Sequence, residues 1–502
     1  MNRRIGVVLS YLLMFIEVLS TLLLTPFIIR TLGQAEYGVY KLSAAVNAYL
    51  LLLDLGVGNA ITRYVAKYRA ENDEAQGQRF LGVATVYYLA IAVIALIAGV
   101  VLTCIFPRVF ARGLSVDEIE LGQELLGITM INSAITLGTA AYTNVIIAYE
   151  RFWISKGCSI VQILLRMAMT VISLKLGFGS IGLVTVQLVT TVICRGFFVL
   201  YVLFVIRLRP RIKGVDASFI KEIIAYSSLI LLQMVATQLN STVDQVMLGA
   251  IVANSATIIA VYSVGTQIVQ YFQSIGGAFT GILMPGIARL VSEKPSSEQL
   301  TAEMTRIGRF VLIVTGIIWA CFVVNGKHFM VLWAGEANQN AFYVSIILMT
   351  AYLLITAEAI GTQILWALNQ HKEQSILKVL IVLCNIILTA CLIKWNPLFG
   401  ATIGTFISLI VGDVVVMNLI FVRKLSVDIK QYCRRLFSGI GLCLTVSILV
   451  GLLVGLILKD NTWLIFVLRN LIMCMVYLGM MLTVGFNNYE KELLKSIFRK
   501  RR

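Results

Sequence analysis

The sequence predicts an all-α, polytopic membrane protein with about fourteen transmembrane helices. Three observations carry this reading: a mean hydropathy of +0.90, fourteen long apolar stretches, and basic residues gathered mainly in alternate loops. The stretches run over residues 5–29, 38–58, 80–106, 121–148, 153–174, 180–206, 223–248, 256–284, 307–325, 342–366, 375–394, 399–422, 436–458 and 463–486. A spanning helix needs about 20 mainly apolar residues, and each stretch approaches or exceeds that length. The chain is 59% hydrophobic and only 13% charged, too little polar residue to cover a soluble domain.

Lys and Arg number 41 against 25 Asp and Glu, a net charge of +16. With the N-terminus placed in the cytoplasm, most of the basic residues fall on the cytoplasmic side. They include Arg63, Lys67, Arg69 and Arg79, then Arg207, Arg209, Arg211, Lys213 and Lys221, and the tail Arg499–Arg502. This is the positive-inside pattern, so the charge records topology and affinity for anionic lipid, not a nucleic-acid partner. Arg3 and Arg4 precede the first apolar stretch, which lacks a small-residue cleavage site and reads as an uncleaved span. Both termini are expected in the cytoplasm.

The longest polar connections, 59–79, 207–222 and 285–306, are too short to house a catalytic domain, and no enzymatic activity is expected. No phosphate-binding GxxxxGK[ST] occurs; Gly326–Lys327 is followed by His328. Nine cysteines scattered singly and two histidines give neither a disulfide framework nor a zinc site, so no metal or other cofactor is expected.

The two halves look related. Aligning Gly182 with Gly400, an offset of 218, sets Arg195 opposite Asp413. Similar offsets bring Ala148–Arg151 beside Leu368–His371 and Arg63 near Arg289. An even number of spans per half makes the copies parallel, as in many transporters. The expected organisation is a six-helix bundle over 1–213, a second over 214–430, and an added helix pair with a basic tail over 431–502. The two bundles are expected to flank a central cavity.

Glu17, Asp54, Arg166, Arg195, Asp244, Glu358 and Asp413 fall inside spans. An ionised group at the bilayer centre costs on the order of 3 kcal/mol, so each should face a wet cavity or a partner. Gln233, Thr237, Asn240 and Asp244 recur at helical spacing on one face, as do Gln267, Gln270 and Gln273, followed by Gly277 and Gly281. Such stripes suit a water-filled groove, or else interhelical hydrogen bonding. Glu17, Thr21 and Thr25 form a shorter stripe. Arg166 and Arg195 suit a phosphate-bearing substrate, since guanidinium stays charged and grips phosphate oxygens bidentately. Glu17, Asp54, Asp244, Glu358 and Asp413 can take up H⁺ or Na⁺ as coupling ions. The competing reading is that Arg195 and Asp413 neutralise one another. Segments 107–120 and 326–341, with Phe106, Phe110, Phe329 and Trp333, read as interfacial outer loops.

Thr25–Gly33, Glu36–Tyr40, Asp54–Gly58 running into Arg63–Ala66, and Asp244–Gly249 with Val261–Ser263 resemble the polysaccharide transporter family. That family includes bacterial O-antigen and capsule repeat-unit flippases, within the multidrug/oligosaccharidyl-lipid/polysaccharide exporter superfamily. The resemblance covers essentially the whole chain and implies outward flipping of an undecaprenyl-pyrophosphate-linked oligosaccharide across the bacterial cytoplasmic membrane. It implies a cationic cavity, which Arg166 and Arg195 would supply. Relatives that flip lipid II carry arginines where Arg63 and Arg289 stand. Polysaccharide polymerase and glycosyltransferases are the partners it implies. Alternatives are a cation-coupled multidrug exporter, whose twelve spans fit less well, and a lipid II flippase.

Overall fold

The computed structural model describes residues 2–54, 56–211, 217–293, 295–368, 370 and 372–492. Within these, the side chains of 2–7, 217–233, 279–285, 288, 289 and 292 lie outside the described set, and with them Gln233, Gly281 and Arg289. Of the other residues read above, Lys213, His371 and the tail Arg499–Arg502 fall outside it altogether. Among the described residues there is no strand. The helices are α1 Asn2–Leu32, α2 Gln34–Ala48, α3 Val57–Ala70, α4 Glu74–Phe110, α5 Val116–Gly138, α6 Ala140–Ala148, α7 Phe152–Lys175, α8 Gly179–Leu200 and α9 Ala217–Ile251. Then come α10 Ala256–Ser292, α11 Ser297–Ala334, α12 Ala341–Ala367, α13 Lys372–Leu392, α14 Pro397–Leu409, α15 Met417–Leu425, α16 Ile429–Phe437, α17 Ile440–Ile457 and α18 Trp463–Met480.

Twelve helical segments among the described residues are long and apolar enough to cross a membrane. They coincide in order with the first six and last six expected spans, and α9 and α10 stand where the seventh and eighth were expected. Some segments combine elements. A 3₁₀ turn at Leu50–Asp54 joins α2 towards α3, and a π-helical stretch at Ile410–Val416 joins α14 to α15. Helix starts follow local chemistry. Ser115 with Glu118 and Ser296 with Gln299 form capping boxes, and Asn396 caps the helix that Pro397 opens.

Aromatic side chains of the segments expected at the interface pack at the ends of α4 and α11. α4 and α11 are 37 and 38 residues long, about 55 Å at 1.5 Å per residue, well beyond a hydrocarbon layer of about 30 Å. Several aromatic side chains near their last turns pack against protein. Phe106 and Phe110 are 1% and 3% exposed, with ring centroids 4.5 Å apart, and Trp333 stacks on Phe329 at 5.5 Å. The turn after α4 is tied down as well, since Gly113 accepts hydrogen bonds from Ser255 N at 2.7 Å and Ser255 Oγ at 3.0 Å.

The chain forms two compact units, residues 1–260 and 261–502. In the first, α4 packs on α5, α7 on α8 and on α1, and α2 on α5 and α9. Its centre holds Ile61, Phe80, Leu81, Tyr88, Val145 and Ile146. The second repeats two of these pairings, α11 on α12 and α13 on α14, and adds α16, α17 and α18 around α11.

Residues quoted for the family resemblance shape the opening of the first unit. Gly33 turns α1 into α2 at φ 80°, a left-handed conformation that costs glycine little. At Gly38 a Cβ would lie 1.8 Å from the Ala256 carbonyl oxygen, so α2 meets the start of α10 only through a bare backbone. Glu36 Oε1 accepts from Ser180 N at 2.7 Å, fastening α2 to the N-terminus of α8.

In the second unit the central polar knot is Arg309, 3% exposed. Its Nε and Nη2 bond both oxygens of Glu490 at 2.7 and 3.0 Å. Nη1 donates to Arg435 O at 2.9 Å and Ser438 O at 2.8 Å, and Nη2 to Gly485 O at 2.9 Å. Every guanidinium N–H thus has an acceptor. Glu490→Gln should cost roughly 3 kcal/mol or more, the scale for a buried charge that loses its partner. Thermal unfolding in detergent measures this; an unchanged midpoint would mean the pair is dispensable.

Candidate functional site

The first unit holds three membrane-embedded cations at different depths. Lys41 of α2 sits over the rings of Tyr37 and Tyr40, 5.3 and 5.8 Å from their centroids. Arg166 of α7 lies within electrostatic reach of Tyr40. Arg195 of α8 donates from Nη1 to Thr143 Oγ1 at 2.6 Å. All three side chains are half-buried.

The ends of these helices supply a common reference plane. Three residues connect α7 to α8, and the Glu36–Ser180 bond sets the start of α2 beside the start of α8. Measured from those ends, Lys41 lies seven residues in, Arg166 nine and Arg195 sixteen. At 1.5 Å per residue these are depths of about 10, 14 and 24 Å. The three cations of the first unit thus stand at different heights along helices whose ends adjoin.

Its carboxylates behave differently. Asp54, the last residue of the 3₁₀ turn in the second span, accepts from Tyr88 Oη at 2.6 Å. Asp244 is 3% exposed and has interactions of its own. On the same stretch of α9, Thr237 is exposed, and Asn240 is half-buried with an Oδ1 that accepts no hydrogen bond among the described residues. Glu17 is exposed on α1, and its stripe passes from exposed to buried at Thr25. Arg63 is exposed on α3.

The second unit brings two acidic residues of the sequence reading together. Asp413 receives Lys378 Nζ of α13 at 2.7 Å, so its countercharge comes from within its own unit. Glu358 of α12, 6% exposed, accepts Asn418 Nδ2 on Oε1 at 2.9 Å and lies within electrostatic reach of Asp413. Glu358 Oε2 and Asn418 Oδ1 are both buried, and neither accepts a hydrogen bond among the described residues. Gln267 is buried and donates from Nε2 to Tyr271 Oη at 2.7 Å; Gln270 is exposed and Gln273 half-buried.

Sequence reasoning passed over Lys41, Arg309, Lys378 and Arg469. Each lies within a few residues of the end of an apolar stretch, where a charge reads as snorkelling to the headgroups. Arg309 and Arg469 are 3% exposed, and Lys41 stands within two tyrosine rings. The available signal for Lys41 was the Tyr37/Tyr40/Lys41 spacing, which sets an aromatic one turn before a cation.

The family model for polysaccharide biosynthesis proteins matches residues 6–291, more than half of the chain. The chain belongs to that family. No curated protein matches the sequence. Solved structures share its fold. The lipid II flippase MurJ, in an inward closed conformation, has a TM-score of 0.71 at 15% identity, over 95% of this chain and 97% of its own. The MATE multidrug transporter DinF-BH, in complex with R6G, has a TM-score of 0.58 at 16% identity, over 87% and 96%. A MOP superfamily transporter from Pyrococcus furiosus reaches 0.53 at 15%, over 84% and 95%. The family member described here is a multi-pass membrane protein whose structural neighbours are transporters and flippases.

Lys378→Met should strand Asp413 and cost roughly 2–3 kcal/mol, below the fully buried case because Lys378 is 27% exposed. Lys378→Met/Asp413→Asn should recover most of that loss. Thermal unfolding of the two variants checks this; equal loss in both would mean the charge pair is not the cause.

Proposed function

We propose that this chain is a flippase that moves undecaprenyl-pyrophosphate-linked oligosaccharide repeat units outward across the bacterial cytoplasmic membrane by alternating access. The reading places both termini in the cytoplasm. It places the chain beside polysaccharide polymerase and glycosyltransferases in capsule, O-antigen or exopolysaccharide assembly, without catalysis of its own. The observation that carries it is the stepped series Lys41, Arg166 and Arg195. A pyrophosphate is the part of such a lipid that hydrocarbon excludes most strongly, and guanidinium or ammonium groups at successive depths offer it partners along the way. Thr237, Asn240, Gln267, Gln270 and Gln273, with Gln233, would hydrogen-bond the sugars, while the polyprenyl chain stays in lipid. The family's role in polysaccharide biosynthesis supports the same class of substrate.

Coupling to H⁺ or Na⁺ is assigned to the acidic residues. Of Glu17, Asp54, Asp244, Glu358 and Asp413, we favour Glu358. Asp413 already has Lys378, whereas Glu358 keeps a buried Oε2 that accepts no hydrogen bond among the described residues. Lipid II is the second reading, favoured by the fold likeness to MurJ. It shares the pyrophosphate and differs in the sugar, and Arg63 and Arg289 would then join the cations. Export of cationic drugs, suggested by the MATE likeness, fits poorly with three embedded cations.

In proteoliposomes carrying a fluorescent lipid-linked oligosaccharide, Lys41→Ala, Arg166→Ala and Arg195→Ala should each slow flipping about tenfold or more. Charge-assisted hydrogen bonds worth roughly 1.5–3 kcal/mol would be lost while the amount of protein in the membrane stays unchanged. Wild-type rates in all three variants would sink the assignment. Preference for lipid II, or protection from cationic dyes, would select the alternatives. Glu358→Gln should abolish acceleration by an imposed pH or Na⁺ gradient while leaving ungradiented flipping intact; a gradient response like wild type would remove Glu358 from coupling.

A further inference from the structure

At one end of the second unit a cavity of about 410 Å³ opens between the start of α11, the α16–α17 connection and residues 484–489. Arg306, Arg309, Arg435, Ser438, Phe486 and Tyr489 are among the residues lining it. The three arginines differ in kind. Arg309 is saturated by Glu490 and three carbonyls, so it is scaffold. Arg306 has a side chain 41% exposed, pairs with Glu303 one turn away, and lies 5.6 Å from the Tyr489 ring centroid. Arg435 is exposed, and its carbonyl is one of those that Arg309 holds, which fixes the backbone from which its side chain projects.

We infer that this cavity binds the phosphate-bearing headgroup of an anionic phospholipid, with Arg306 and Arg435 as the phosphate ligands. Charge complementarity is the first argument: the two accessible guanidiniums outnumber Glu303, and an incoming phosphate offers more acceptor oxygens than that one carboxylate. Amphipathic placement is the second. α16 buries Tyr432 and Leu436 and exposes Lys430, Arg434 and Arg435, the pattern of a short helix lying along a membrane surface with its cations towards the headgroups. The wall itself is the third. Val484, 52% exposed, and Phe486 set hydrocarbon beside the arginines, which a lipid uses and a free phosphate does not. A basic pocket at the membrane surface, among ends of transmembrane helices, is the usual place for headgroup recognition. Because Arg309 ties α11, α16 and residue 485 together beneath the cavity, a bound headgroup would brace the same three segments from outside.

The test uses the full chain, purified in detergent, stripped of lipid and titrated with phosphatidylglycerol in native mass spectrometry. Wild type should retain phosphatidylglycerol at least fivefold better than phosphatidylcholine. Arg306→Gln/Arg435→Gln should lose that preference, while Arg423→Gln, an exposed basic residue on α15 outside the cavity, should keep it. Thermal midpoints without lipid should match among the three proteins, since the substituted side chains are surface groups. Equal retention by wild type and the double variant would overturn the proposal. So would equal loss in Arg423→Gln, which marks a diffuse basic surface. Displacement of the lipid by millimolar inorganic phosphate would reassign the cavity to free phosphate and overturn the lipid assignment.

Discussion

Arg309 and Glu490 are far apart in sequence and yet form the contact on which the second unit's closure depends. A guanidinium shut away from water needs five acceptors, and only a particular arrangement of α11, the α16–α17 connection and residues 485–490 provides them. The network is directional in a way that apolar packing is not. Leucine and valine faces slide over one another at little cost when lipid is as apolar as protein. A saturated arginine has one solution, and the helices around it take their positions accordingly.

The same constraint sorts the remaining embedded charges into kinds. Some are closed: Asp413 with Lys378, Asp54 with Tyr88. Others are held at one point with donors to spare, as Arg195 is by Thr143 and Lys41 by its two tyrosine faces. Glu358 and Asn418 stand between, sharing one hydrogen bond and leaving one oxygen each unserved. A group whose bonding is complete has little left to offer a passing ligand. Those partly engaged keep donors or acceptors that a further polar group can use.

The spans were legible because hydrocarbon thickness imposes a length on every crossing helix, and that length shows directly in the run of apolar residues. The quoted family residues were legible for a more local reason. Gly33 and Gly38 stand where a side chain is strained or has no room, and Glu36 caps a helix start. Charges near span ends were harder to read. Arg309, Lys378 and Lys41 occupy positions where sequence cannot tell a side chain that reaches for water from one that turns inward. Phe106 and Trp333 have the composition of an interfacial belt, and only the structure shows that both side chains are buried against protein.

The sequence by itself determined the class, the order of the spans and the family, since these rest on one-dimensional quantities: apolar length, charge alternation and short local motifs. Tertiary structure alone decided which charge answers which. That choice depends on distances of about 3 Å between residues tens to hundreds of positions apart, such as Lys378 with Asp413 or Arg309 with Glu490, and no periodicity along the chain encodes it.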